Sequence, residues 1–271
     1  MTSRGGDQRR DEPGQRAAAF VEASGDRLER VAAWALIGAR PVSEAVASLE
    51  STQRSDGAYG GFDASPGRLA PTLRTLGVLD DLGALRQPTV ERACAYLART
   101  QADDGSWQTE GGASGEDTLF TTGMVAGHLA KTRWVRPDTL AAAGDYLAAR
   151  WSPDRLRIDG WPAIAAFAHF FANAAHDLAD EALQWCGREL ERGYRAHRFD
   201  AVRTARVFAY CDAGALPGIR IALSELVPGI LADQAQDGGW LEPGVASVCT
   251  RVARTLDALV TLARVDRDPK R

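Results

Sequence analysis

The hydrophobic positions of the chain recur with the spacing of amphipathic helices. Between residues 41 and 52, apolar side chains stand at i, i+3, i+4 and i+7. Each such segment opens with a proline, which is favoured in the first turn of a helix. The other positions are polar, so each helix should bury one face and form part of an outer layer. This pattern predicts outer helices over Pro41–Thr52, Pro88–Thr100, Pro137–Arg150 and Pro217–Ala232.

The segments between these helices are helical in pattern but more apolar. Their alanine and glycine content allows helices to pack closely, which suits an inner layer. No stretch alternates between polar and apolar residues for long enough to predict a strand. The inner helices are predicted over Leu69–Leu82, Asp117–Lys131, Ala163–Ala175, Ala201–Cys211 and Ser247–Leu262, and one more pair precedes them over Gln15–Ala23 and Arg27–Gly38.

A short phrase, Gln-x-x-Asp-Gly-x-aromatic, occurs three times at the junctions between outer and inner segments. The copies span residues 53–59, 101–107 and 234–240, and each has an aliphatic residue four positions before its glutamine. Degenerate copies begin at Trp151 and Tyr194. The copies are therefore spaced by roughly 40–50 residues, the length of a helix pair, which indicates a repeat architecture.

The repeats predict an all-α fold, a closed α6/α6 toroid with a double ring of inner and outer helices. An open solenoid would need polar caps at both ends, whereas the last helix still carries apolar residues such as Val252 and Leu259. Closing the ring buries both ends. We expect the toroid to span residues 15–264, between a disordered N-terminal tail (1–14) and a C-terminal tail (265–271).

Composition narrows the class of protein. A chain of 271 residues that is 45% hydrophobic can bury a large core, and its net charge of −4 gives no sign of nucleic-acid binding. The four cysteines are far apart and form no Cys-x-x-Cys pair, which is typical of reduced thiols in the cytoplasm. No apolar run approaches the ~20 residues of a membrane span, and no signal peptide is present. We expect a cytoplasmic protein, with peripheral membrane contact left open.

The repeat phrase resembles the QW motif of the squalene–hopene cyclase and protein prenyltransferase β-subunit superfamily. The copy from Gln101 to Trp107 carries the resemblance best, and the register extends over nearly the whole chain. The pattern is closest to that of a single-domain class II terpene cyclase. The motif itself is interpreted as structural. The Gln amide at the end of one helix binds backbone at the start of the next helix, the Asp-Gly turn takes left-handed geometry, and the Trp packs on the Gln.

The resemblance also suggests where an acid would stand. Ser114-Gly115-Glu116-Asp117-Thr118 occupies the position at which class II terpene cyclases carry Asp-x-Asp-Asp-Thr. Glu116 matches the catalytic acid and Asp117 the last Asp, whereas Ser114 replaces the first. Either Glu116 or Asp117 protonates the substrate, or the two form an acidic pair that caps a helix. Other acids expected near the same mouth of the ring are Asp63, Asp200 and Glu242.

A carbocation in the cavity would need aromatic faces and little water. Phe120, Met124 and His128 share one face of a predicted inner helix at spacings of four and eight residues. The alternative is that these side chains are core between the two layers. The proposed substrate-binding set consists of Phe120, Met124, His128, Phe167, His169, Phe170, Arg203, Phe208 and Arg251.

Two arginine pairs, Arg203/Arg206 and Arg251/Arg254, stand at i, i+3 on predicted inner helices. Arginine binds phosphate and carboxylate groups through two hydrogen bonds, so these side chains could hold an anionic head group. The alternative is internal pairing with Asp200, Asp257 or Glu242.

A metal or other cofactor is not predicted. Protein prenyltransferases hold zinc with an Asp-x-Cys pair and a distant His, and no predicted inner helix opens with Asp-x-Cys. The four histidines are scattered along the chain, and a lone His on a helix is more often a core residue.

We therefore expect a class II terpene cyclase-like enzyme of isoprenoid secondary metabolism, an isomerase or lyase in type. It would cyclise a linear isoprenoid or meroterpenoid in an aromatic cavity without a metal. One alternative is a non-catalytic toroid that binds a lipid, a peptide or a partner protein. Another is a cyclase of a non-terpene biosynthetic intermediate.

Overall fold

The computed structural model describes residues 8–60, 68–109, 115–241 and 247–267, with backbone alone for 8–11, 115, 116 and 267. These ranges contain thirteen helices and no strand, which confirms the all-α class. The helices are α1 (Gln8–Ser24), α2 (Arg27–Leu36), α3 (Val42–Glu50), α4 (Leu69–Asp81), α5 (Pro88–Arg99), α6 (Gly115–Ala130), α7 (Pro137–Ala148), α8 (Pro153–Asp159), α9 (Trp161–Asn173), α10 (Ala179–Arg195), α11 (Ala201–Tyr210), α12 (Leu223–Ala232) and α13 (Val248–Arg267).

Six helices contact one another in chain order. They are α2, α4, α6, α9, α11 and α13, and α13 also packs against α2. The remaining long helices pack beside them: α1 contacts α2, α5 contacts α4, α7 contacts α6, α10 contacts α9 and α12 contacts α11. The apolar segments thus lie against each other, and the one-sided helices lie next to them.

Helices α6 and α9 approach each other closely. A Cβ atom added at Gly123 would lie 2.5 Å from the Cβ of Ala166, and one added at Gly127 would lie 2.4 Å from Cγ of His169. Two glycines one turn apart therefore allow the backbones to approach closely. As a result the aromatic side chains of α9 pack into the protein, and Phe167 is fully buried.

The repeat phrase forms a turn that joins neighbouring repeats. The Gln101 amide donates one hydrogen bond to the carbonyl of Gly105 (3.0 Å) and another to that of Thr139 (3.0 Å), in the first turn of α7. The indole of Trp107 is fully buried and donates to the carbonyl of Leu97 (2.9 Å). Gly105 has a φ of 85°, as the Asp-Gly turn requires.

The glutamines of the other two copies make the equivalent bonds. Gln53 donates to the carbonyl of Thr89 in α5 (2.8 Å), and Gln234 donates to that of Pro13 in α1 (2.9 Å). The glutamine thus bonds to the next outer helix, and not, as the motif predicts, to the helix that directly follows it in sequence. The third copy brings the end of α12 to α1, and α13 packs against α1.

Some helix boundaries differ from those expected. The first helix begins at Gln8, ahead of the expected boundary at residue 15, and α13 continues to Arg267. The fourth outer helix starts at Leu223, because Pro217 and Gly218 form a turn instead, with Gly218 at a φ of 81°. The degenerate copy that begins at Trp151 predicts a longer loop before Gly160, whereas the structure has the short helix α8 there. Within the described residues, no helix is both long enough and apolar enough to cross a membrane.

Candidate functional site

A largely apolar cavity of about 380 Å³ lies between α2, α4, α6, α11 and α13. Its wall includes Leu28 in the first turn of α2 and Leu36 in the last, so the cavity extends along the helices. Phe120, Met124 and His128 supply the wall on α6. A cavity of this size falls at the lower end of the range for small-molecule sites, about 300–1,000 Å³.

The cavity is polar at one end, where Arg206 lies between two carboxylates. Its Nη1 and Nη2 atoms donate to the two oxygens of Asp81 at 2.7 and 2.9 Å. Its Nε lies 3.0 Å from Oδ1 of Asp257, an ion-pair distance that lacks hydrogen-bond geometry. The guanidinium stands 4.5 Å over the ring of Tyr210. Burial opposes the charge on Arg206, but Asp81, Tyr210 and Asp257 outweigh it and raise its pKa well above the ordinary value.

Asp257 is the unusual acid of this group. Burial raises the pKa of its carboxyl from 3.8 to about 6, and repulsion from Asp81 and Asp200 adds to the rise. The attraction of Arg206 and Arg254 lowers the pKa but does not cancel the rise. About a third of the side chain is accessible (36%), and Asp257 lines the cavity. A carboxyl that is half protonated at about pH 6 therefore stands at the polar end of an otherwise apolar cavity.

This raised pKa predicts a dependence of stability on pH. The folded state holds the Asp257 proton more tightly than the unfolded state, so the stabilisation is complete below pH 4 and is lost as the pH rises through about 6. We expect a loss of about 1 kcal/mol, since solvent in the cavity screens part of the shift. Urea unfolding between pH 4 and 7 measures it. Asp257→Asn should remove this component, and an unchanged difference between the two proteins across the range would contradict it.

The opposite end of the cavity carries Glu29 and Arg74. One oxygen of Glu29 accepts from the backbone N–H of Asp26 (2.8 Å), and the other pairs with Arg74 (2.9 Å). Burial raises the pKa of Glu29, although the Asp26 backbone bond and Arg74 oppose the shift. Both oxygens of Glu29 are thus engaged, which leaves Asp257 as the less constrained acid.

Three further polar side chains meet beside the cavity. Asp80, His128 and His169 are all buried, and one ligand atom from each lies within 4.8 Å of the others. Asp80 Oδ2 is 3.2 Å from Nδ1 of His128 and 2.8 Å from Nζ of Lys131. Burial alone would raise the pKa of Asp80, but His128 and Lys131 outweigh it and hold that pKa well below its usual range. Burial lowers the pKa of His169 well below its ordinary value, with the charges of His128 and Lys131 adding to the effect.

The predicted substrate-binding residues divide into two groups. Phe120, Met124 and His128 line the cavity. Phe167, Phe170, Phe208 and His169 are almost completely buried and do not contribute to its wall. Phe167 stacks on Phe171, with 6.2 Å between the ring centres, and His169 stacks on Tyr210 at 5.0 Å. The aromatics of α9 are therefore packed as core.

The predicted arginines lie outside the cavity wall. Arg251 pairs with Asp237 (2.8 Å) and stands over the ring of Phe20. The Arg203 carbonyl accepts a hydrogen bond from the Trp161 indole (2.8 Å), and its side chain is half-buried. The second arginines of the two predicted pairs differ in position. Arg254 pairs with Asp200 (2.6 Å), whereas Arg206 lines the cavity.

The acids that the sequence predicts at one mouth of the ring are described only in part. Asp117 is exposed in the first turn of α6 and is not part of the cavity wall. The side chain of Glu116 lies outside the described residues, as do Ser114, Asp63 and Glu242. Asp200 caps the N-terminus of α11 by accepting from the N–H of Arg203 (2.9 Å).

Sequence reasoning gave no site role to Asp257, Asp81 or Tyr210. Asp257 had been considered only as a partner for arginine. A signal was available: Ala253, Leu256 and Val260 share its face of α13, so a lone acid stands on an apolar face of an inner helix. No sequence signal brings Asp80, His128 and His169 together, because they come from three different helices.

Comparison with known proteins adds a likeness of fold. No family model matches the sequence, and no curated protein matches it. The structure resembles a crystal structure of a protein from Actinoplanes, with a TM-score of 0.58 and 13% sequence identity over 95% of this chain and 99% of that one. At this identity the likeness concerns the fold alone.

Proposed function

We propose that the described helices belong to a closed α6/α6 toroid whose cavity cyclises a linear isoprenoid or meroterpenoid by protonation. The cycle of contacts from α2 through α13 and back to α2 supports the ring. The observation that carries the function is Asp257, a carboxyl with a raised pKa on the wall of an apolar cavity. In this proposal Asp257 takes the role expected of Glu116 or Asp117.

The surroundings of Asp257 suit an acid that must both hold a proton and release it. Burial keeps a fraction of the carboxyl protonated near pH 6. Once the proton has left, Arg206 stands 3.0 Å from the resulting carboxylate and stabilises it. Asp81 holds the guanidinium in place through two hydrogen bonds, so this stabilisation is in position before the reaction.

The reaction starts when the O–H bond of Asp257 breaks. Its proton forms a C–H bond with a terminal alkene, or an O–H bond with the oxygen of a terminal epoxide, whose C–O bond then breaks. The positive charge develops on the substrate, and the next double bond attacks it and forms a C–C bond. Phe120 lines the cavity, and its ring can stabilise the cation by about 0.5–2 kcal/mol. Loss of a proton to a base, or capture by water, ends the sequence. If a proton is lost, the product is an isomer of the substrate.

The direct test incubates the full chain with linear isoprenoids of increasing length, with and without an aromatic head group, in parallel reactions with and without a chelator. We expect one substrate class to give a cyclic product of equal mass, or heavier by one water, detected by mass spectrometry and NMR. Short isoprenoids should be preferred because the cavity is small. If substrates bind but no member of the panel is converted, the enzyme proposal fails.

A second candidate is a non-catalytic toroid that binds an apolar ligand. The observation in its favour is that Arg206 is hydrogen-bonded to Asp81 and forms an ion pair with Asp257. These three residues can therefore be an internal ion cluster that has no catalytic role. The same cluster weakens the idea of an anionic head group, because the guanidinium of Arg206 is engaged. Saturable binding without turnover, unaffected by Asp257→Asn, would identify this function.

A further inference from the structure

The buried group of Asp80, His128 and His169 has the composition of a transition-metal site. Two imidazoles and one carboxylate are ligands that zinc and related divalent ions accept, and three protein ligands leave one position open. One ligand atom from each residue lies within 4.8 Å of the others. In a tetrahedral zinc site such atoms are about 3.4 Å apart, so side-chain movements of about 1 Å would close the group.

The environment of His169 is unusual for a buried polar side chain. Its ring is fully buried, yet neither Nδ1 nor Nε2 has a hydrogen-bond partner. Buried polar atoms are normally satisfied, and an unpaired one costs about 1–3 kcal/mol. Either nitrogen of a neutral imidazole can bind a metal ion. The Nδ1 atom of His128 lies near Asp80 but also lacks a hydrogen bond of good geometry.

The neighbouring charges leave room for a cation. Lys131 stands 2.8 Å from Oδ2 of Asp80, but its ammonium is also 2.9 Å from Asp212, which neutralises part of its charge. The last turns of α4 and α6 adjoin the group, and the C-terminal ends of helices favour positive charge.

We propose that Asp80, His128 and His169 bind one divalent transition-metal ion, with Zn²⁺ as the best match to the ligand set. His128 also lines the cavity, so the ion would lie beside it. This site does not depend on the proposed cyclisation, which uses Asp257 at a different place in the cavity wall.

The test titrates chelator-stripped full-length protein with Co²⁺, followed by its visible absorption, and with Zn²⁺, followed by calorimetry. We expect one ion per chain and intense Co²⁺ bands of a four- or five-coordinate site. Asp80→Asn, which preserves side-chain volume, and His169→Gln should each weaken binding about 100-fold or more. The matched control is His197→Asn at an exposed histidine, which should leave binding unchanged.

Lys131→Met provides a variant with the opposite expected sign. Removing a cation beside the metal should tighten binding about tenfold. Circular dichroism of each variant shows whether it remains folded, and the Lys131 result stands even if His169→Gln does not fold. The proposal is overturned by a titration that does not saturate, by loss of binding in His197→Asn, or by unchanged binding in a folded Asp80→Asn protein. None of these outcomes requires turnover, so the metal site and the cyclase fail separately.

Discussion

Replacing Asp257 with Asn is expected to lower turnover by about 10²–10⁴-fold, the range attributed to a positioned general acid. The amide keeps the shape of the side chain and cannot supply the proton. Arg206 remains held by Asp81, so the cavity should keep its form. Turnover of the isoprenoid identified in the substrate panel, measured together with binding, gives the result. We expect binding to be largely retained while kcat falls.

Two comparisons distinguish a catalytic role of Asp257 from a structural one. Asp257→Glu keeps a carboxyl and should retain part of the turnover, and in the wild-type protein kcat should decline above pH 6 as the Asp257 proton is lost. Asp266→Asn changes an exposed acid on the same helix and should have no effect. If Asp257→Asn turns over substrate normally while Glu116→Gln or Asp117→Asn does not, the acid lies at the position that the family resemblance suggested.

Replacing Gly105 with Ala is expected to destabilise the fold by about 3 kcal/mol or more, a loss of roughly 6–12 °C in Tm. Gly105 has a φ of 85°, which costs an L-residue about 1–2 kcal/mol. The added Cβ would also lie 2.2 Å from the carbonyl oxygen of Ala142 and 2.5 Å from its carbon. The neighbour is helix backbone, so it cannot rotate away. Thermal and urea unfolding measure the change.

Gly38→Ala is the matched control for this prediction. Gly38 has a similar φ of 72°, but an added Cβ would meet no atom within 4 Å. We expect it to lose only the backbone component, about 1–2 kcal/mol. If the two variants are equally stable, the close approach between the turn and α7 contributes little, and the interpretation of the repeat phrase as a joint is wrong.

The repeat phrase and the helix periodicity carried the sequence prediction of the fold. The prolines at 88 and 137 mark helix starts because the pyrrolidine ring of proline fits the first turn of a helix. Pro217 does not, since Gly218 follows it at a φ that ends helical geometry. The face of Phe120, Met124 and His128 could be read from spacing alone, because residues four apart lie on one side of a helix.

The rest of the site depends on how helices approach one another, which spacing does not reveal. The α9 aromatics resemble a cavity lining in sequence, but Gly123 and Gly127 draw α9 onto α6 and bury them. Asp80, His128 and His169 meet only because the ends of α4 and α6 and the middle of α9 converge. Hydrophobic periodicity specifies which face is buried but not which neighbour that face meets.

The bond from Gln234 to Pro13 has a consequence for synthesis of the chain. It spans 221 residues, whereas the equivalent bond from Gln53 to Thr89 spans 36. Loop-closure entropy makes the longer connection only roughly 1.5 kcal/mol more costly. The delay during synthesis differs far more. At about 5–20 residues per second, Gln234 is added to the chain roughly 10–45 s after Pro13. Throughout that interval the face of α1 that α13 will cover is open to chaperones and proteases.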